Sequence, residues 1–103
     1  MPEGRKDDQG KARWDLVQPL SLQEYVEVLT HGAAKYAPNN WRYVPEARSR
    51  YFAALLRHLW AWWLGEQYDR ETKLHHLAHT LCCVCFLMEP ELEELCRVDK
   101  KKD

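Results

Sequence analysis

A chain of 103 residues with a formal net charge of −1 fits one domain and has no bulk electrostatic reason to bind nucleic acid or an acidic membrane. Hydrophobic residues make up 46% and charged residues 30%, an ordinary soluble balance, and so small a domain invites oligomerisation. The polar N-terminus, the lack of a membrane-length apolar run and the crowding of Cys82, Cys83 and Cys85 in one apolar stretch argue against a signal peptide, a membrane span and a secreted disulfide framework, and favour the cytoplasm.

Residues 1–12 are charged and lack periodicity, which predicts a flexible arm. A single helical domain is expected over 13–98, followed by a charged tail over 99–103. Ser21-x-x-Glu24 after Pro19 has the form of a capping box. Leu22, Tyr25, Val26, Leu29 and Ala33 then recur at helical spacing, so a first helix should run to about Tyr36, where Pro38-Asn39-Asn40 makes a turn. A second helix is predicted from Glu46 to Gly65, with an apolar face of Phe52, Leu55, Leu56, Leu59, Trp60 and Trp63. On it, His58, Trp62 and Glu66 share a stripe at steps of four. A third helix should start between Asp69 and Thr72 and stop at Pro90, with Leu74, Leu77, Ala78, Leu81, Cys82, Cys85 and Met88 as its core side. A short last helix is expected over Glu91–Val98. The fold class is all-α: a compact bundle of three main helices plus a short C-terminal helix.

The densest chemistry lies between Gly65 and His79, where three acids and three imidazoles fall within fifteen residues. Oxygen and nitrogen donors at the junction of two helices suit a divalent metal. His76 and His79 share a helix face, and His75 reaches His79 at a step of four. Glu66-x-x-Asp69 offers two carboxylates to a hard cation such as Mg2+, with Mn2+ and Co2+ as alternatives. The plainer reading makes Asp69 a helix cap and the His residues a polar face. Glu24-x-x-Glu27 is a second acidic pair, close to the junction if the helices pack antiparallel. Lys11, Arg13, Lys35 and Arg42 flank turns and suit phosphate oxygens, with Arg48, Arg50 and Arg57 as alternatives. Asn40 beside Trp41 pairs an amide with a stacking face, as a nucleobase requires. No Gly-rich phosphate loop is present, so side chains and a metal must do that work.

Several ordered pieces then carry a family likeness: Lys11-Ala-Arg13-Trp14-Asp15-Leu16, Gly32-Ala-Ala-Lys35-Tyr36, Asn40-Trp41, Arg57-His58-Leu59-Trp60-Ala61-Trp62, Gly65-Glu66-x-x-Asp69 and His76-Leu77-Ala78-His79. From about Gly10 to Met88 the chain resembles the phage dATP/dGTP diphosphohydrolase N-terminal domain family, which is linked to MazG-like pyrophosphohydrolases. The resemblance implies metal-dependent hydrolysis of purine deoxynucleoside triphosphates, dGTP or dATP, to monophosphate and pyrophosphate in phage nucleotide metabolism, by a homo-oligomer. On it, Glu66, Asp69 and His79 are expected to hold the ion, with His76 and Glu24 as second choices. Glu24 and Glu66 are the candidate catalytic carboxylates, and Lys35, Tyr36, Asn40, Trp41, Arg42 and His58 the substrate contacts. Two other expectations stand beside this one: a phosphohydrolase of the HD kind releasing phosphate or triphosphate, and a non-catalytic nucleotide-binding or interaction module.

Overall fold

Among the described residues three α-helices make the architecture, and local chemistry sets most of their ends. The computed structural model describes residues 2–102. Residues 2–13 hold no helix or strand. A short 3-10 turn at Trp14–Leu16 leads into helix α1, Pro19–Lys35. Pro19 occupies the first helical position, where its missing N–H costs nothing. Gln18 is the residue that flanks it, so Ser21 lies inside the helix and the predicted capping box does not form. Glu24 is thereby released to work elsewhere. A second 3-10 turn at Asn40–Tyr43, entered through Asn39 in the left-handed region (φ 63°), carries the chain to helix α2, Ala47–Trp63.

Gly65 ends α2. Its φ of +105° suits glycine, and the Gly65 and Glu66 amides donate back to the Trp62 and Ala61 carbonyls at 3.0 and 2.9 Å. The chain then reverses through a tight loop, with an isolated antiparallel bridge between Tyr68 and His75. Helix α3, His76–Lys102, starts later than the spacing suggests, because residues 66–75 are spent on this loop. His75 caps it, its Nδ1 accepting the Leu77 amide at 3.0 Å.

Pro90 does not stop α3; the helix runs through it, and the expected third and fourth helices are one. A proline inside a helix costs about 3 kcal/mol. Tertiary contacts hold the helix on either side of it. Phe86 stacks on Trp41 with ring centroids 4.7 Å apart, and Glu93 takes two bonds from the Arg42 guanidinium at 2.8 and 3.2 Å.

α3 is the central element. α2 packs along it most extensively, α1 less so, and α1 and α2 barely meet. The core is thin: Val28 of α1 against Ala78 and Cys82 of α3, with Tyr25, Leu29, Leu74 and Phe86 around them. Leu81 and Met88, expected in the core, face outward. The chain is all-helical but not a compact bundle. Its radius of gyration is 17.7 Å, against about 13 Å for a globule of this length. Among the described residues no helix is long and apolar enough to cross a membrane.

Candidate metal centre

Three elements bring donors to one point: α2 supplies His58, the loop supplies Asp69, and the first turn of α3 supplies His76. One donor atom from each lies within 4.8 Å of the others. Asp69 is held by its own turn. Its Oδ2 accepts the Thr72 and Glu71 amides at 2.9 and 3.1 Å, and Lys73, at φ 66°, closes the loop by donating to the Asp69 carbonyl at 2.8 Å. Partial burial alone would raise the Asp69 pKa, but the bonds from Thr72 and the nearby His79 and His58 hold it below the usual carboxylate range.

His76 is the most deeply buried imidazole, 4% exposed. Its Nε2 lies 3.1 Å from Glu66 Oε1 and its Nδ1 lies 2.9 Å from His58 Nδ1. An ionised carboxylate only accepts, so Nε2 carries a proton and Nδ1 is the nitrogen left to present a lone pair toward His58. Such a carboxylate–imidazole pair is how proteins orient a histidine that ligates through its other nitrogen. Burial, with His79 nearby, pushes the His58 pKa down to about 4, so this ring is neutral near pH 7. His79 stacks on His58 at 4.4 Å, nearly parallel, and its Nε2 lies 2.7 Å from the Thr72 hydroxyl. Burial lowers its pKa as well.

This centre sits in a cavity of about 760 Å³ between α1, α2, the loop and α3. Of the sequence-predicted residues, Lys35, Tyr36, Asn40, Trp41, His58, Asp69, His76 and His79 all line it. Lys35 reaches across to Glu71 at 2.7 Å. Arg57 lines the wall and forms no ion pair among the described residues. Outside it lie Glu66, Glu24 and Arg42, and also Lys11, Arg13, Arg48 and Arg50 among the expected phosphate cations. Glu66 stands behind His76 and reaches the centre only through that ring. Glu24 accepts the His75 amide at 3.0 Å and ties α1 to the start of α3. Arg42 turns away to Glu93, its guanidinium 4.5 Å from the Trp41 ring centre. His58, expected among the substrate contacts, lines the cavity and also stands in the donor cluster, and Trp41 spends one ring face on Phe86.

Thr72, Tyr51 and Phe86 also line the cavity, and sequence reasoning does not single them out as site residues. Thr72 has a usable signal: a Thr three residues after an Asp in a turn is an Asx-turn pattern. Tyr51 and Phe86 have none, since aromatic residues on a helix look like core.

The family description "dATP/dGTP diphosphohydrolase, N-terminal" matches residues 1–100. The chain belongs to that family. A dATP/dGTP diphosphohydrolase of Salmonella phage PMBT28 is 36% identical over 84 residues, 82% of this chain and 28% of that protein. The chain therefore spans less than a third of that relative's length. No solved structure matches it. In this member of the dATP/dGTP diphosphohydrolase N-terminal family, the donor chemistry fits a divalent ion: two imidazole nitrogens and one carboxylate converge, with Glu66 as the orienting carboxylate behind them.

Proposed function

We propose that this domain binds a divalent metal through His58, Asp69 and His76 and hydrolyses purine deoxynucleoside triphosphates to monophosphate and pyrophosphate. The convergence of those three donors on the wall of a nucleotide-sized cavity carries the reading. The name of the phage relative supports the substrate class. Nitrogen donors favour Mn2+ or Co2+ over Mg2+, which prefers an all-oxygen shell that keeps its waters. A bound ion would neutralise phosphate charge and lower the pKa of a water molecule.

The protein's own residues supply the rest. Lys35 and Arg57 are the cations that face the cavity. Lys35 would exchange Glu71 for a phosphate oxygen, and both side chains are exposed enough to move. Asn40 and Tyr36 offer polar atoms for a base and sugar on the same wall. His79, neutral and oriented by Thr72, is placed to accept the proton of the attacking water. Glu66 serves by fixing His76, and Glu24 by anchoring the helix start.

The pairing of two histidines with an aspartate also favours a second reading, an HD-like phosphohydrolase that releases phosphate or triphosphate. One assay separates them: turnover of the four dNTPs and GTP with Mg2+, Mn2+, Co2+ or no metal, resolving every product. Metal-dependent dGMP or dAMP with pyrophosphate supports the first reading. Nucleoside with triphosphate, or diphosphate with phosphate, supports the second. A folded protein that turns nothing over in any metal overturns both for this chain alone.

A further inference from the structure

α3 has two apolar faces, and α1 and α2 cover one of them. Ala78, Cys82 and Phe86 belong to the covered side. On the opposite side Leu81, Val84, Met88, Leu92 and Leu95 follow one another at steps of three, four, four and three, and each is 37–59% exposed. A mean step of about 3.5 residues is the seam of a helix pair. At 1.5 Å per residue the stripe runs roughly 21 Å along the axis. Nothing within the described residues covers it.

We propose that a second copy of this chain covers it, with the two α3 helices packed antiparallel about a dyad at Met88. The spacing is the first argument. It reads the same in both directions, so a dyad at Met88 sets Leu81 against the partner's Leu95 and Val84 against the partner's Leu92. Self-complementarity of this kind is what a two-fold contact requires and what an unrelated partner has no reason to impose. Charge is the second. The stretch His76–Met88 has no acidic residue, whereas Glu89, Glu91, Glu93 and Glu94 come directly after it. Parallel packing would set the two acidic stretches side by side. Antiparallel packing about Met88 lays each beside residues 82–87 of the other helix, which carry no acidic side chain.

Area is the third argument. The chain exposes 8941 Å², while a folded monomer of its mass should expose about 6,100 Å². Residues 2–13 take part of the excess. A stable pair needs only about 800 Å² from each copy. The small core points the same way, since no large side chain is fully buried among the described residues. The stripe faces away from His76 and His79, so this pairing does not depend on the phosphohydrolase reading and leaves its cavity open.

Sedimentation and light scattering of the full chain across micromolar concentrations test it. The expected mass is that of a dimer. Met88→Glu should give a monomer of native helicity, because it sets two carboxylates face to face at the dyad. An equimolar mixture of Met88→Glu and Met88→Lys should restore the dimer. A monomeric wild-type protein overturns the proposal. So does a Met88→Glu variant that remains dimeric, which would move the interface to the exposed Trp60 and Trp63 of α2. If Met88→Glu fails to fold, Met88→Cys in a Cys96→Ser background replaces it. Mild oxidation should then link two copies through residue 88, while Leu95→Cys, facing the partner's Leu81, should not link. Linking of both variants, or of neither, overturns the antiparallel dyad.

Discussion

The two halves of α3 live in different worlds. The first half starts at a loop where almost every polar atom has a partner: Asp69 holds the Thr72 amide, Thr72 the His79 ring, Glu66 the His76 ring and Glu24 the His75 amide. The second half, beyond Met88, is anchored by the Arg42–Glu93 pair and otherwise shows leucines to solvent. Precision and stability arise in different places. The donor cluster is fixed by hydrogen bonds within a few residues of it, whereas the apolar surface that would stabilise the fold still waits for something to cover it.

The contrast breaks most sharply at the donors. Replacing Asp69 by Ala removes a candidate ligand and also releases the turn that holds Thr72, and with it the His79 orientation. Co2+ affinity, followed by visible absorbance or calorimetry, should fall by more than the roughly 10–100-fold that loss of an outer partner costs. Glu66→Gln should fall within that smaller range, because the amide oxygen can still accept the His76 Nε2–H. Equal losses for the two variants would make Glu66 a ligand after all.

Truncations separate the two halves next. Val28→Ala empties the α1–α3 contact and should cost about 2 kcal/mol of stability in chemical unfolding. Leu95→Ala should leave the monomer's stability nearly unchanged and weaken self-association instead. Comparable losses in a chain held monomeric by Met88→Glu would show that Leu95 packs within its own chain.

Mild acid should act first at the loop end of α3, where His58 packs against it. The His58 pKa is lowered in the folded state from 6.5 to about 4, so the unfolded chain takes up its proton first as pH falls. Stability contributed by the neutral ring is present above pH 6.5 and is lost progressively between about 6.5 and 4. In metal-free protein the melting temperature should drop over that interval, and His58→Gln should flatten the drop. A profile as steep in the variant would assign the effect to other groups. The smallest effect belongs to Arg42→Ala. Its ion pair with Glu93 is exposed, so the melting temperature should barely move. Amide exchange over residues 91–98 should nevertheless quicken, because that pair anchors the helix on the far side of Pro90.

Much of the secondary structure is legible in the sequence because it obeys local rules. Gly65 marks the end of α2, Pro38-Asn39-Asn40 the turn after α1, and the apolar period the span of both helices. The spacing places the start of α3 too early because the Asx-turn at Asp69 and the bridge from Tyr68 to His75 look, in sequence, like the first turn of a helix. Pro90 reads as a stop because its local cost is real; the stack on Trp41 and the Arg42–Glu93 pair that offset it come from residues nearly fifty positions earlier in the chain.

Residue type and spacing are enough to pick out His58, Glu66, Asp69, His76 and His79 along the chain. Their places relative to one another come from the way the helices dock. Which face of α2 meets α3, and at what height, sets His58 rather than Glu66 beside Asp69 and His76, moves Glu66 behind an imidazole, and leaves Glu24 at a helix start. Spacing along one helix fixes which side chains share a face. It carries no information about the height at which two helices dock, because that depends on how side chains distant in sequence interlock.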